Sequence, residues 1–286
     1  MDEATSSLYK PTGGSEKSFV WPQISSLSLT RTNDYPKSEI HEAIELSDQH
    51  NLFSSRNNDF HKNRRRLVAS AFGNTYPRSL EPLMRECTRV LIRKLDEVLA
   101  APDSVPQATV LPKGQVNICS FLNRLSLDII GETAAAGSET SSTAMTHILM
   151  FFVKTPEKLA KLREEIDMAT AGNLKGFLPS LYQVRSLEYL TACINESMRL
   201  RTVAATGIPR EVSEDATMAG IFVPAGTKFT FYPFSAGTCN CVGKSFAMMR
   251  MRLVLAAIIT QYYIKDVPGQ RTDYVQFITT ALATGS

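Results

Sequence analysis

The amino-acid sequence predicts a mainly α-helical fold with small β-sheets. Apolar residues recur at steps of three and four over several long stretches, the spacing that places them on one face of an α-helix. Residues 219–231 instead combine short apolar runs with the turn Pro224-Ala225-Gly226, which predicts short β-strands. The 286 residues are 43% hydrophobic and 21% charged, an ordinary composition for a globular protein.

The individual elements follow from local patterns along the chain. Residues 1–59 are rich in Ser, Thr, Asn and Pro, and we expect an irregular N-terminal segment there. Residues 60–286 are expected to form one domain. Apolar periodicity predicts long helices near 76–99, 136–153, 157–168, 187–201 and 244–261, with a shorter one over 121–130. Thr155-Pro156 marks the start of the third long helix, because proline suits the first turn.

Composition excludes several classes of protein. A net charge of +3 gives no whole-protein argument for binding nucleic acid or an anionic membrane. The sequence has no run of about 18 apolar residues, so it predicts no transmembrane anchor. Its first residues also lack the pattern of a signal peptide. Five cysteines in a chain of this length do not indicate a disulfide framework, so a reducing compartment is the default expectation.

The segment from Phe234 to Gly243 carries the most specific chemistry. Cys241 lies just before the last predicted helix, where free N–H groups stabilise a thiolate. Gly243 allows close approach to a flat cofactor, Gly237 allows a tight turn, and Phe234 is suited to shield the sulfur from water. The alternatives are ordinary cysteines at a helix start, or a zinc site, which lacks a second Cys/His cluster.

This segment resembles the heme-binding loop of the cytochrome P-450 family, Phe-x-x-Gly-x-Arg-x-Cys-x-Gly. Phe234, Gly237, Cys241 and Gly243 match at the family's spacing, whereas Cys239 stands where the family has an arginine that reaches a heme propionate. The resemblance implies that Cys241 is the axial ligand of the heme iron, a thiolate that favours O–O cleavage.

Glu196 and Arg199 form a second motif. Three residues apart on a predicted helix, they are placed to pair, and they resemble the Glu-x-x-Arg motif of the same family. We expect a buried, structural ion pair. The runs 208–212 and 224–227 follow in the family's order.

The segment 136–141 resembles the family's central helix motif, Ala-Gly-x-Asp/Glu-Thr. Gly137 allows a cofactor to lie against the helix, and an acid with an alcohol, Glu139 and Thr140, relays protons into a buried site. The alternative is a helix start capped by Ser and Thr.

The run His61-Lys-Asn-Arg-Arg-Arg66 is the most basic stretch. It has three interpretations: a nucleic-acid or nuclear-localisation patch, a solvated helix face, or the family's early helix that binds a heme propionate. We favour the third, with His61 and Arg65 as the propionate ligands, because arginine suits carboxylates.

Together the resemblance implies a truncated cytochrome P-450 fold, with 60–286 as a shortened heme-binding domain of the type found in fungal secondary metabolism. The implied function is a monooxygenase that takes electrons from NADPH through a reductase and hydroxylates a small apolar terpenoid or polyketide, in a mycotoxin-like pathway. Compared with the family pattern, we expect several segments to be missing, including the endoplasmic-reticulum anchor, the helices between Gly131 and Ala136, and a meander before Phe234. Without that anchor, a cytoplasmic location is the default expectation. We therefore expect poor turnover. A non-catalytic remnant and an α-helical interaction module using residues 61–66 are the alternative functions.

Overall fold

The structure is a computed structural model. It describes residues 18–19, 35–39, 41, 52–72, 79–100, 110–111, 115–130, 135–170, 176, 178–204, 209–218, 221–229, 233–235, 239–265, 274–276 and 280–282. Within these ranges the protein is mainly helical with small sheets, as the sequence predicts. None of the helices in the described ranges is long and apolar enough to cross a bilayer.

The helices carry most of the described residues. They are α1 (Asn58–Phe72), α2 (Glu81–Ala100), α3 (Ile118–Ile130), α4 (Ala135–Lys154), α5 (Pro156–Thr170), α6 (Leu181–Arg185), α7 (Glu188–Leu200) and α8 (Lys244–Gln261). The five long helices predicted from periodicity overlap α2, α4, α5, α7 and α8. Pro156 is the first residue of α5, the position where its missing N–H is harmless.

The strands are short. They are β1 (Ser18–Phe19), β2 (Val110–Leu111), β3 (Gln115–Val116), β4 (Arg210–Glu211), β5 (Ala216–Met218), β6 (Ile221–Val223), β7 (Lys228–Phe229), β8 (Tyr274–Gln276) and β9 (Thr280–Leu282). One sheet has the order β1-β7-β4, in which β1 pairs parallel and β4 antiparallel to β7. The pairs β2-β3, β5-β6 and β8-β9 are antiparallel ribbons.

The chain divides into two compact units, one of residues 1–69 and 206–242 and the other of 70–205 and 243–286. The boundary expected after residue 59 stays a prediction, and the first compact unit combines residues from both sides of it. Strand pairing joins distant parts of this unit, because β1 from the segment expected to be irregular is hydrogen-bonded to β7, about two hundred residues later.

The second unit has α8 at its centre. Its apolar residues from Leu253 to Ile259 are at most 2% exposed, so this stretch of the helix is buried on every side, as expected for a stretch without a polar face. α3 and α4 pack along each other, and Ser142 hydrogen-bonds Asn123 across their contact. Arg163 donates from both terminal nitrogens to the carbonyl groups of Ile259 and Tyr262, at the C-terminal end of α8.

The first unit has a buried polar cluster beside its sheet. Lys37 is 6% exposed, and its ammonium donates to the carbonyl oxygens of Leu52, Phe53 and Ser55 at 3.0, 2.7 and 3.1 Å. The backbone of the same segment is hydrogen-bonded to the strand that carries Arg210, since Ser38 N–H donates to the Pro209 carbonyl at 3.2 Å. These bonds hold the chain that leads into α1.

Candidate functional site

The segment from Phe234 to Gly243, called the cysteine loop below, has a strained backbone at its start. Phe234 and Ser235 have φ angles of +68° and +53°, a region that non-glycine residues rarely occupy. Such strain costs roughly 1–3 kcal/mol per residue and persists where surrounding contacts enforce it. Cys241 N–H donates to the Phe234 carbonyl at 2.7 Å, and Arg210 Nη2 donates to Ser235 Oγ at 3.3 Å. Gly237 lies outside the described residues.

The two cysteines of the loop differ in their surroundings. Cys241 is exposed and Cys239 is half-buried. The cysteine that matches the family's axial ligand is therefore the accessible one. Gly243 precedes the first residue of α8 with a φ of −85°, a conformation open to any residue, and its expected role of letting a flat cofactor approach stays a prediction.

Helix α1 meets this loop with two side chains one turn apart. His61 is 7% exposed, and its Nδ1 lies 4.0 Å from Cys239 Sγ. Arg65 is half-buried and donates hydrogen bonds to Asn240 from both terminal nitrogens. Nη1 donates to the backbone carbonyl oxygen at 2.5 Å, and Nη2 donates to the side-chain amide oxygen. The structure thus brings the two predicted propionate ligands to the loop, while their role toward a propionate stays a prediction.

Arg210 belongs to this site and was given no role by the sequence analysis. It is 1% exposed, its Nη1 is 3.4 Å from the Tyr35 carbonyl, and its Nε has no hydrogen-bond partner within the described residues. A buried guanidinium group with an unsatisfied N–H is suited to a carboxylate. The signal in the sequence was the run 208–212, which follows the family pattern and contains this arginine.

The electrostatics of Lys37 show how close these groups are. Burial lowers the pKa of Lys37 to about 8, the neighbouring Cys239 raises this pKa and Arg210 lowers it. Among the described residues no carboxylate forms an ion pair with either Lys37 or Arg210. Buried positive charge without a carboxylate partner is costly, so the surroundings of the loop favour an anionic group. The two propionates of a heme are such groups, and the residues present fit that cofactor.

The candidate proton-relay residues lie at the start of α4, in the second unit. Gly137 is within the first turn of that helix, Glu139 is exposed and Thr140 is half-buried. The Glu139 carbonyl accepts a hydrogen bond from Ser142 Oγ at 2.8 Å. Their roles in proton delivery stay predictions.

The expected buried pair of Glu196 and Arg199 is wrong in one respect. The pair forms, with both nitrogen-oxygen distances at 2.7 Å, but the Arg199 and Glu196 side chains are 60% and 55% exposed. The hydrogen bonds from Arg199 lower the pKa of Glu196. Helix α7 buries Leu190, Ile194, Ser197 and Met198, and the period of 3.6 residues places the pair outside that buried stripe.

A scan against protein families matches the description "Cytochrome P-450" over residues 127–232 and 228–277, which together span more than half of the 286 residues. A search of solved structures finds the crystal structure of a cytochrome P-450 with a TM-score of 0.67 and 17% identity, covering 87% of this chain and 83% of that chain. At this identity the likeness shows the fold.

Three curated relatives are cytochrome P-450 monooxygenases of fungi. The relative acrD from Aspergillus aculeatus is 26% identical over 85% of this chain and 75% of its own length. The relative mpsF from Macrophomina phaseolina is 30% identical over 60% of this chain and 52% of its own length. A relative from a Fusarium species is 32% identical over 47% of this chain and 33% of its own length. The chain thus spans about half or less of the length of the second and third.

Proposed function

Because the chain belongs to the cytochrome P-450 family, we propose that it binds heme through the Cys241 thiolate and is a monooxygenase that hydroxylates a small apolar molecule of fungal secondary metabolism. The observation that carries this proposal is the geometry of the cysteine loop. Its strained residues, Phe234 and Ser235, are held by hydrogen bonds, and its family cysteine is accessible. A heme with a thiolate ligand supplies the chemistry that activates molecular oxygen.

The residues of the first unit have separate tasks in this proposal. Cys241 ligates the iron, and the backbone hydrogen bond between its N–H and the Phe234 carbonyl holds the ligand in place. Arg210 neutralises one propionate with the Nε–H that has no partner within the described residues. Arg65 and His61 serve the same cofactor from α1, either by contacting a propionate or by holding residues 239 and 240.

Glu139 and Thr140 are proposed to hold and move protons. A carboxylate and a hydroxyl on adjacent residues accept and donate protons at catalytically useful rates when both lie within hydrogen-bond reach of the reacting group. Electrons are proposed to come from NADPH through a reductase. The substrate is proposed to be a terpenoid or polyketide, which the resemblance to the family members of fungal secondary metabolism implies; the fungal relatives' names support a monooxygenase and give no substrate.

The test of heme ligation compares two matched variants. In the reduced protein with carbon monoxide, a thiolate-ligated heme has a red-shifted Soret band. We expect Cys241→Ser to lose this band and Cys239→Ser, two residues away, to keep it. Loss of the band in Cys239→Ser alone would show that the ligand is Cys239 and would overturn the assignment.

A non-catalytic remnant is the second candidate, and the exposed Glu196 and Arg199 pair favours it. The resemblance to the Glu-x-x-Arg motif implied a buried pair that supports the fold, whereas here the pair lies at the surface. We propose that turnover is poor. Expression with a fungal reductase, NADPH and candidate apolar substrates measures product per electron consumed, and tightly coupled hydroxylation at full heme loading would refute poor turnover.

A further inference from the structure

The cysteine loop has a second thiol that the heme-binding role does not use. Cys239 and Cys241 are separated by one residue, belong to the same compact unit, and neither is in a disulfide bond. Successive Cα atoms are about 3.8 Å apart, so residues i and i+2 in a bent segment fall within the Cα separation of about 4.4–6.8 Å that a disulfide requires. The chain bends at Asn240, between the two cysteines.

Contacts from helix α1 hold that bend. Arg65 binds the backbone carbonyl and the side-chain oxygen of Asn240, which fixes the residue that joins the two cysteines. His61 contacts Cys239 Sγ through Nδ1 at 4.0 Å. The side chain of Cys241 is exposed, so the pair combines one anchored thiol with one thiol accessible to small molecules in solution.

We propose that Cys239 and Cys241 are a redox pair, which a peroxide converts reversibly into a disulfide within the loop. The exposed Cys241 sulfur takes one oxygen atom from hydrogen peroxide, giving a sulfenic acid and one water molecule. The Cys239 sulfur then attacks the Cys241 sulfur and the S–O bond breaks. The departing hydroxide takes the Cys239 thiol proton and leaves as a second water molecule. Two thiols are oxidised and one peroxide is reduced.

The consequence for the cofactor rests on the proposed function. A sulfur atom in a disulfide has no thiolate to offer to iron, so the oxidised loop cannot supply the axial ligand. Conversely, a bound heme would occupy the Cys241 sulfur and protect it. The small ring and the exposure of Cys241 place this disulfide in the labile class, which thiol reductants open readily.

The test uses the full chain and one tryptic peptide. Trypsin cleaves after Lys228 and Lys244, and the peptide 229–244 contains both loop cysteines and no others. The heme-free protein is treated with hydrogen peroxide, alkylated and digested. We expect the wild-type peptide to lack both alkyl groups, to weigh two hydrogen atoms less than the dithiol form, and to return to two alkylated thiols after dithiothreitol.

Matched variants make the result specific. Cys239→Ser and Cys241→Ser should each prevent the mass change, while Cys193→Ser, which alters a half-buried cysteine of the other unit, should leave it intact. A wild-type peptide that keeps two alkylated thiols, or that carries a sulfinic acid without a cross-link, would refute the redox pair. So would the same mass change in Cys239→Ser.

The heme readout separates this inference from the proposed function. Hemin is added to the reduced and to the oxidised protein, and the carbon monoxide spectrum is recorded before and after dithiothreitol. We expect the thiolate band only in samples with open thiols. A disulfide that forms normally in a protein that never shows the band supports the redox pair and refutes heme ligation. A band of equal height in the oxidised protein would refute the proposed consequence.

Discussion

A buried histidine in helix α4 makes the stability of the second unit depend on pH. His147 is 1% exposed, and burial lowers its pKa to about 4; a backbone contact with Arg201 opposes this shift and the Arg201 charge adds to it. In the unfolded chain the same imidazole has an ordinary pKa of 6.5. The folded state therefore binds fewer protons than the unfolded state between these two values.

The sign and size of the effect follow from this difference. The stabilisation is fully present above pH 6.5 and is lost as the pH falls through 6.5 toward 4. At pH 5 the unfolded imidazole is mostly charged and the folded one mostly neutral, which lowers the free energy of unfolding by about 2 kcal/mol relative to pH 7.5. We expect His147→Gln and His147→Met to lose this part of the pH dependence.

The assay is urea denaturation at pH 7.5 and pH 5, followed by circular dichroism. His41→Gln is the matched control, because His41 is fully buried in the other unit and burial also lowers its pKa to about 4. Each single variant should remove its own share of the pH dependence, and the double variant should remove both. An unchanged difference between pH 7.5 and pH 5 in the His147 variants would refute the reasoning.

Three further predictions concern an exposed ion pair, the C-terminal end of α8 and the buried Arg210. Glu196→Gln should leave the thermal midpoint nearly unchanged in a melting experiment, because its pair with arginine is exposed; a large loss of soluble protein would contradict this. Arg163→Met should lower the free energy of unfolding by about 1–3 kcal/mol in urea titrations, since it removes two bonds to carbonyl groups at the end of α8; no change would show the cap is dispensable. Arg210→Gln should increase the rate of heme transfer to apomyoglobin by about tenfold, because the loss of one charged hydrogen bond weakens heme binding by about that factor. An unchanged rate would show that Arg210 does not contact the cofactor.

Much of the fold could be read from the chain because local spacing decides local structure. The predicted stretches overlap five helices, α2, α4, α5, α7 and α8. A stripe of apolar residues at helical spacing predicts a helix, because the helical conformation places the whole stripe on one face that can be buried. The motif around Cys241 indicated the family for a similar reason. Its residues are close in sequence, and the spacing between them is the feature that matches the family's heme-binding loop.

Long-range pairing was different in kind. The strand Ser18–Phe19 lies in a segment expected to be irregular, and it joins the sheet through hydrogen bonds to residues 228–229. Two-residue strands have too few positions to show a period, so no local signal announces them. The division into two units, which follows partly from this sheet, was equally invisible in the linear sequence.

The site shows the same boundary between local pattern and tertiary contact. The spacing of residues in the sequence identified Cys241 and Arg65 as candidates. The hydrogen bond from Arg65 to Asn240, by contrast, joins residues 175 positions apart, which no local pattern predicts. The exposure of Glu196 and the burial of Arg210 were settled by which helix and strand surfaces are covered in the folded protein. A residue type and its neighbours in sequence specify what a side chain can do chemically. Whether that side chain is exposed to water, lies beside a charge or contacts a partner depends on packing between distant segments. The free energy of burial comes from surfaces that only the folded protein brings together, so no single stretch of sequence determines it.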